Sequence, residues 1–186
     1  MYRDETLKKY LDDLAAKLSA PGGGSAAAMT AALGASLISM VVNFTLGKPK
    51  YVQHENELKK IIDESEKLRI EFLDLVDKDV EAYESKDLHN ALDIPFMVCR
   101  LCFECIKLLP PLIEKGNVNL ISDVAVAAVL LESAFASANF NVEINLKVLR
   151  DKKLTQGIRK ELEQKEKLIK KIRKETEEKV GKVIRG

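Results

Sequence analysis

The sequence predicts an all-α protein, a bundle of about six helices arranged around one long central helix of small residues. Apolar residues recur at spacings of three and four along most of the chain. The breaks between these stretches are rich in proline, glycine and asparagine, and no alternating β-branched run competes with them. Because 186 residues suffice for one core, we expect a single domain over 1–186. Its core should span about 6–150, with a C-terminal packing helix at about 155–185.

The first two predicted helices flank a glycine-rich turn. The first, TLKKYLDDLAAKLS, ends before APGGG, and its leucines predict one buried stripe. Ser25 is the expected N-cap of the second helix, which runs to about Gly47. The small side chains of this second helix would let its neighbours approach closely. The inner stripe of the first helix is Leu7, Leu11, Leu14 and Leu18, and the small residues of the second are Ala27, Ala28, Ala31, Ala32, Ala35 and Ser36.

A charged third helix is predicted from about Val52 to Tyr83, and ESKDLHNALD after it is expected to be a turn region. Pro95 can occupy the first turn of the fourth helix, which should bend or break at Pro110-Pro111.

The fifth predicted helix begins after EKGNVNLISD, with Ser122 or Asp123 as its cap, and reaches about Arg150. The last helix begins at about Thr155 and is expected to pack or dimerise along a narrow apolar seam. The seam consists of Leu154, Ile158, Leu162, Ile169, Ile172, Val180 and Val183.

The charge balance limits the possible partners. The chain has 30 basic and 29 acidic residues, a net charge of +1, which argues against a dedicated nucleic-acid-binding protein. The chain opens with charged residues rather than with a basic segment and an apolar run, so no secretory signal is expected. A cytoplasmic protein is the resulting expectation.

Cys99, Cys102 and Cys105 form a C-x-x-C-x-x-C run that resembles a metal-binding pattern. The run has helical periodicity, and on a helix these thiols spread over a broad face and cannot close around one ion. The two histidines, His54 and His89, are far apart. We therefore expect buried thiols and no metal site.

The uncharged stretch from Pro21 to Gly47 is long enough to span a bilayer. Its many alanines and hydroxyl side chains, and its lack of an aromatic belt, argue against a membrane partner. A phosphate-binding loop would need a lysine after the glycines and a strand before them. The remaining interpretations are a plain turn, or a loop whose backbone N–H groups and helix dipole meet an anionic or carbonyl-bearing ligand.

Four stretches together carry a resemblance to a known family: PGGGSAAAMTAALGASLISMVVNFTLGKPKY, LVDKDVEAY, GNVNLISD, and NVEINL followed by RD. In this order they resemble the formiminotransferase-cyclodeaminase C-terminal family over roughly Thr6 to Arg150. That family includes formiminotetrahydrofolate cyclodeaminases and methenyltetrahydrofolate cyclohydrolases. Between VEAY and IPFMV the chain is shorter than the family pattern, and the cysteine run and the proline pair are unfamiliar.

The resemblance implies a cofactor-free, homodimeric enzyme acting on one-carbon units carried by tetrahydrofolate. It would hydrolyse 5,10-methenyltetrahydrofolate to 10-formyltetrahydrofolate, or cyclodeaminate 5-formiminotetrahydrofolate with release of ammonia. The sequence given carries no formiminotransferase domain, which favours the hydrolase slightly. A non-catalytic helical interaction protein that keeps the scaffold is the alternative, and the short middle region would favour it.

Two carboxylates in LVDKD are candidates for the proton chemistry of such a reaction. On a helical wheel, at about 100° per residue, Asp79 falls beside Leu68, Phe72 and Tyr83, on the apolar side. Asp77 falls on roughly the opposite, solvated side. Asp79 is therefore the first catalytic candidate and Asp77 the second. A buried ion pair or interhelical hydrogen bond is the alternative role for Asp79.

The remaining candidates would bind substrate. Asp123, Asn141 and Asn145 share a helix face with several alanines and could hold the pterin, or they could bond helices at a dimer seam. Lys48 and Lys50 could meet the glutamate carboxylates of the folate, or they could be plain loop lysines. The full substrate-binding set is Pro21, Gly22, Gly23, Gly24, Ser25, Lys48, Lys50, Asn117, Asp123, Asn141 and Asn145.

Overall fold

A computed structural model describes residues 1–85 and 88–186 of the chain. The described residues form helices and no strand, which confirms the all-α prediction. The helices are α1 (Leu7–Ala15), α2 (Gly23–Asn43), α3 (Glu55–Ser85), α4 (Leu88–Ile106), α5 (Leu109–Lys115), α6 (Ile121–Leu146) and α7 (Lys152–Arg185). Short 3-10 turns cover Tyr2–Asp4, Pro49–His54 and Val118–Leu120.

The small-residue helix α2 is central, as predicted. It packs against α3 on one side and α6 on the other, while α4 closes the bundle against α3 and α6. A Cβ added at Gly34 would lie only 2.8 Å from Cγ of Leu131. The α2 and α6 backbones therefore approach more closely than any larger residue at position 34 would allow.

Two predicted helix caps are wrong. The N-cap of α2 is Gly22, and Ser25 lies buried inside the first turn, where its side chain does not cap the helix. Neither Ser122 nor Asp123 caps α6, whose N-cap is Leu120. The reason is that a 3-10 turn, Val118–Leu120, leads directly into α6 and moves its start upstream.

The predicted turn region ESKDLHNALD is largely helical. The α3 helix continues to Ser85 and α4 already begins at Leu88, so Pro95 lies inside α4 and not in its first turn. The remainder of that predicted turn, Lys86 and Asp87, lies outside the described residues. The predicted break at Pro110-Pro111 is confirmed, since α4 ends at Ile106 and both prolines sit in the first turn of α5.

The predicted inner stripe of α1 is wrong for three of its four leucines. Leu7, Leu11 and Leu18 are more than half exposed, Leu14 packs partly buried against the core, and the fully buried residue of this helix is Tyr10. The ring of Tyr10 packs edge-on against the ring of Tyr2, with 5.4 Å between ring centroids. Tyr10 and Leu14 thus dock the short helix, while Leu7 and Leu11 stay exposed.

The last helix packs on its own chain. Ile158, Leu162, Ile169 and Val180 are buried where α7 meets α6, α4 and α5, whereas Leu154 and other terminal apolar residues are about half exposed. Bidentate hydrogen bonds from the Arg100 guanidinium to the Glu161 carboxylate, 2.8 and 2.7 Å, fasten α4 to α7. The buried part of the predicted α7 seam therefore packs against helices of the same chain.

The cysteine run is buried on α4, as expected. The Cys99 thiol donates to the carbonyl oxygen of Phe135 at 3.5 Å, and burial raises the pKa of Cys99 to about 12. Burial also raises the pKa of Cys102 and Cys105, so all three remain neutral thiols. Among residues 1–85 and 88–186 no cluster of three metal-ligating side chains occurs.

Two helices, Gly23–Asn43 and Val118–Leu146, are long and apolar enough to cross a membrane by length and composition alone. In the bundle, 61% of the apolar window of the first helix and 39% of that of the second is buried inside the protein. Core helices of this kind satisfy the same length criterion, so the finding is weak evidence for a membrane span.

Candidate active site

A cleft of about 270 Å³ opens where the glycine loop begins α2. Four helices meet there, since α3 supplies Asp79, α4 supplies Ala91, α6 supplies the two asparagines, and the glycines lie at and just before the start of α2. The structure thus brings together six predicted site residues from three separate parts of the sequence. The lining residues are Ser19, Ala20, Gly22, Gly23, Gly24, Asp79, Ala82, Tyr83, Ala91, Asn141, Ile144 and Asn145.

The Asp79 carboxylate is held against the first turn of α2. The backbone N–H of Ser25 donates to Oδ2 of Asp79 at 2.8 Å. A Cβ added at Gly24 would overlap Oδ1 of the same carboxylate, whereas a Cβ at Gly23 would make ordinary contacts and one at Gly22 would touch nothing. Of the three glycines, Gly24 is therefore the one that the position of the carboxylate requires.

The environment of Asp79 shifts its proton affinity. Burial raises the pKa of this carboxyl above its ordinary value, and the Ser25 N–H opposes the shift by stabilising the anion. The positive end of the α2 dipole acts in the same sense as the N–H. A carboxylate fixed in place with a raised pKa can take up and return a proton during a reaction.

Sequence reasoning missed Tyr10, which supports the loop from behind. Its hydroxyl lies 3.2 Å from Oγ of Ser25, and both side chains are buried. Burial raises the pKa of Tyr10, so the phenol stays protonated. Ser25 therefore serves the site through its backbone N–H, while its side chain faces Tyr10. The signal in the sequence was an aromatic residue in an otherwise polar turn of a leucine-bearing helix.

The placement of Asp77 on a solvated face is wrong. Asp77 is buried, and its Oδ1 accepts the backbone N–H of Tyr2 at 2.6 Å while Oδ2 accepts that of Arg3 at 3.4 Å. The N-terminal 3-10 turn covers this side of α3, which a helical wheel of α3 alone does not show. Asp77 does not line the cleft and anchors the N-terminal segment, whereas the inward position predicted for Asp79 is confirmed. Tyr83 also lines the cleft but is 61% exposed.

The two asparagines of α6 line the same cleft as Asp79. The side chain of Asn141 faces Gly23 and donates to the carbonyl of Ser137 at 3.0 Å. The Nδ2 of Asn145 donates to the carbonyl of Ala91 at 2.5 Å and ties α6 to α4. Their amide groups offer both donors and acceptors to a ligand.

The other predicted residues lie at the opposite end of α2, about 30 Å away at 1.5 Å per residue. Lys48 lines a different hollow, and Lys50 stands over the ring of Tyr51. Asn117 is buried, where its backbone N–H donates to Oγ1 of Thr45 and its side chain to the carbonyl of Phe44. These bonds tie the turn before α6 to the end of α2.

Asp123 and Pro21 also stand apart from the cleft lining. Asp123 lies near the start of α6, about 27 Å from Asn141 along the helix, so the expected joint grip with the asparagines does not form within one copy. Pro21 is buried behind the loop.

Comparison with known proteins finds a matching family. The family model described as Formiminotransferase-cyclodeaminase matches residues 6–87 and 84–164. The two matched segments meet at 84–87, within the stretch where the sequence is shorter than the family pattern.

Two named relatives and one solved structure show how far the similarity extends. A methenyltetrahydrofolate cyclohydrolase of Methylorubrum extorquens is 38% identical, covering 88% of this chain and 89% of the relative. The formimidoyltransferase-cyclodeaminase of Rattus norvegicus is 31% identical over 80% of this chain, which spans only 32% of that longer protein. The crystal structure of formiminotetrahydrofolate cyclodeaminase from Thermotoga maritima superposes with a TM-score of 0.94 at 30% identity, covering 99% of this chain and 100% of that one.

Proposed function

The chain belongs to the formiminotransferase-cyclodeaminase family and is a folate-dependent one-carbon enzyme, and we propose that it hydrolyses 5,10-methenyltetrahydrofolate to 10-formyltetrahydrofolate. The cyclohydrolase of Methylorubrum extorquens supports this reaction, because the similarity covers nearly all of both chains. A non-catalytic role for the scaffold is not favoured.

The observation that carries the proposal is the Asp79 carboxylate, fixed by the Ser25 N–H beside two asparagine amides in one cleft. The bridging carbon of the methenyl substrate carries positive charge shared with N5 and N10. A carboxylate beside it stabilises that charge, and amide groups match the hydrogen-bonding edge of a pterin.

Hydrolysis then proceeds through a tetrahedral carbon. A water oxygen bonds to the bridging carbon, and Asp79 accepts the proton that the water loses. The bond from N5 to this carbon breaks, N5 keeps the electron pair and takes a proton, and the formyl group remains on N10. One water is consumed and one proton is released overall, because the substrate is a cation and the product is not.

Cyclodeamination of 5-formiminotetrahydrofolate is the second candidate, favoured by the structural match to the Thermotoga maritima cyclodeaminase. There N10 bonds to the formimino carbon, the carbon–nitrogen bond to the former imino group breaks, and ammonia leaves. Asp79 would take the N10 proton and return one to the departing nitrogen. Both reactions need the carboxylate to accept a proton, so the same cleft suits either reaction.

The deciding experiment offers each substrate separately to the purified protein. We expect accelerated loss of the methenyl absorbance with formation of 10-formyltetrahydrofolate, and no ammonia above background from the formimino substrate. Ammonia release without methenyl hydrolysis would replace the first reaction by the second. Activity on neither substrate would overturn the proposal.

The proposal extends to the setting of the enzyme. Carboxylate chemistry of this kind needs no resident cofactor, and the balanced charge of the chain suits neither nucleic acid nor an anionic membrane surface. We propose a cytoplasmic location for the enzyme. We also propose a homodimer, because apolar side chains remain exposed along α2 and α6. Light scattering at micromolar concentration should give twice the 20.8 kDa chain mass.

A further inference from the structure

One side of the bundle, formed by α2 and α6, is exposed and uncharged. Along each helix, residues that are exposed or half-buried recur at alternating spacings of four and three, as in a helix–helix seam. Leu33, Phe140 and Ile144 are exposed by 54%, 78% and 57%. This α2–α6 face consists of Ala26, Thr30, Leu33, Leu37, Met40 and Phe44, with Val126, Leu130, Ser133, Ser137, Phe140 and Ile144.

The two stripes point to the same side of the molecule. The α2 and α6 helices are antiparallel, because Gly23 faces Asn141 and Gly34 faces Leu131 and Ala127. Leu33 precedes the contact residue Gly34 by one position, and Val126 precedes Ala127 by one. In antiparallel helices, residues one step before the contact, about 100° away, turn to the same side. The stripes therefore form one continuous surface.

The Asp79 cleft opens at the edge of this surface and is small. Ile144 belongs both to the cleft lining and to the α2–α6 face. The volume of about 270 Å³ lies below the range of about 300–1,000 Å³ for sites that bury a drug-sized ligand. A reduced folate with its glutamate tail is larger than the cleft of one copy, and no lysine or arginine lines that cleft.

We propose that a second copy of the chain packs head to tail on the α2–α6 face, so that Lys48 and Lys50 of each copy complete the Asp79 cleft of the other. The inference rests on the proposed function for the nature of the ligand. The two lysines bind the carboxylates of the substrate tail while Asp79 faces the reacting carbon.

Charge and area both favour a second copy as the occupant. One end of α2 carries the Asp79 carboxylate, and the other carries Lys48 and Lys50, which form no ion pair within residues 1–85 and 88–186. Head-to-tail pairing brings opposite charges together. Two helices about 30 Å long and 10 Å wide present about 600 Å², close to the roughly 800 Å² per partner of a stable interface.

The register follows from the two-fold symmetry. An isologous contact centred on Leu33 pairs residues equally far before and after it. Asn43, where α2 ends, lies ten positions after Leu33, and Gly23, where α2 begins, lies ten before it. The end of the partner's α2 therefore lies level with Gly23 of the cleft, and the partner's Lys48 follows five residues later in the chain. Pairing α2 with α6 of the partner, the other two-fold arrangement, would leave the lysines at the far end.

Cysteine crosslinking tests the packing without reference to activity. Leu33→Cys places a thiol at the symmetry axis, and mild oxidation should give a disulfide-linked dimer. Ile70→Cys on α3 is the matched control, since Ile70 is 55% exposed and lies off this face. A Leu33→Cys protein that stays uncrosslinked, or that crosslinks no faster than Ile70→Cys, would overturn the arrangement, as would a monomer that floats with lipid vesicles.

A hybrid dimer tests the shared site. Asp79→Asn and Lys48→Ala/Lys50→Ala chains, coexpressed with different tags, are purified as the heterodimer. One of its two sites then has Asp79 from the lysine variant and both lysines from the other chain. At substrate concentrations well below KM, we expect about half the wild-type activity on 5,10-methenyltetrahydrofolate, as two independent sites predict, whereas each parental homodimer is impaired there, the lysine variant through its raised KM. A heterodimer no more active than the mean of its parents would show lysines acting within one copy and overturn the proposal.

The lysine variant needs a readout of its own. We expect its KM for methenyltetrahydrofolate to rise about tenfold with kcat little changed, as for lost ground-state binding. Lys48→Arg/Lys50→Arg should restore most of the loss because it keeps the charges. An unchanged KM in the alanine variant would overturn the role of the lysines. If the wild type itself lacks activity while Leu33→Cys crosslinks, the reaction is wrong and the dimer stands.

Discussion

Polar residues surround an open cleft at the glycine end of α2, whereas at the lysine end a buried asparagine bonds to the fold. At the glycine end, Asp79 meets a backbone N–H and the asparagines of α6, and a cleft remains open between them. At the lysine end, Asn117 bonds to Thr45 and Phe44, Lys50 stands over the ring of Tyr51, and neither lysine forms an ion pair within the described residues. Polar residues thus line an open cleft at one end of α2 and bond segments of the fold together at the other.

The difference between the two ends shows that residues of one sequence motif need not lie at one site. The segment from Pro21 to Lys50 is continuous in sequence, yet its helix separates the first residues from the last by about 30 Å. In the proposed head-to-tail dimer, the two ends of α2 from different copies would contact one substrate. The comparison can be tested by substitutions at each end.

The largest expected effect is at Asp79. Asp79→Asn keeps the shape and the acceptor for the Ser25 N–H but removes the proton affinity, so kcat should fall by about 100-fold or more. Stopped-flow loss of the methenyl absorbance measures it, with circular dichroism as the check on folding. An Asp79→Asn enzyme within a few fold of wild type would make the glycine end a structural site as well.

The glycines of the loop should differ in how much activity their substitution costs. Gly24→Ala places a Cβ on Oδ1 of Asp79, so the carboxylate must move, and we expect a loss of about tenfold to 100-fold in kcat/KM. Gly22→Ala is the matched control, because a Cβ there meets nothing within 4 Å. Equal losses in the two variants would show that loop flexibility, and not the carboxylate contact, explains the glycines.

Asp77→Asn should act on stability instead. Weakening the buried bonds to the Tyr2 and Arg3 N–H groups should cost about 1–3 kcal/mol in urea unfolding, while kcat stays within about tenfold of wild type. Deleting residues 1–4 should cost a similar free energy, and combining both changes should add little. Full additivity would mean that the carboxylate acts elsewhere.

Asn117→Ala is the counterpart at the lysine end. Removing the bond to the Phe44 carbonyl should lower unfolding stability by about 1–3 kcal/mol and leave the KM of the folded enzyme unchanged. Chemical denaturation and initial rates on the same preparation make the comparison. A raised KM at unchanged stability would place Asn117 in the substrate site.

The smallest effect is the pH dependence of stability. The pKa of Asp79 is higher in the folded protein than the ordinary 3.8, because burial disfavours the anion. The stability that this group contributes is present below the unfolded pKa and is lost as the pH rises through the folded pKa. Asp79→Asn should therefore melt higher than wild type at neutral pH, and the gap should close at acid pH. A lower Tm at neutral pH would contradict the burial argument.

The site was predictable where one helix decides it. The wheel of α3 places Asp79 inward because that position depends on the periodicity of α3 alone, and the structure agrees. The same wheel fails for Asp77, because an N-terminal turn from 75 positions away covers it. Tyr10 was missed for the same reason, since its partner Ser25 belongs to another helix.

The sequence by itself determined the all-α class, the small-residue central helix, the break before α5 and the inward Asp79. All of these follow from local periodicity, proline chemistry and side-chain size. Only the tertiary structure decided which glycine admits the carboxylate, which asparagines reach it, and that Asn117 and Asp123 stand at the far end. The physical reason is that a helix advances about 1.5 Å per residue, so residues of one motif drift apart while packing joins residues of different helices.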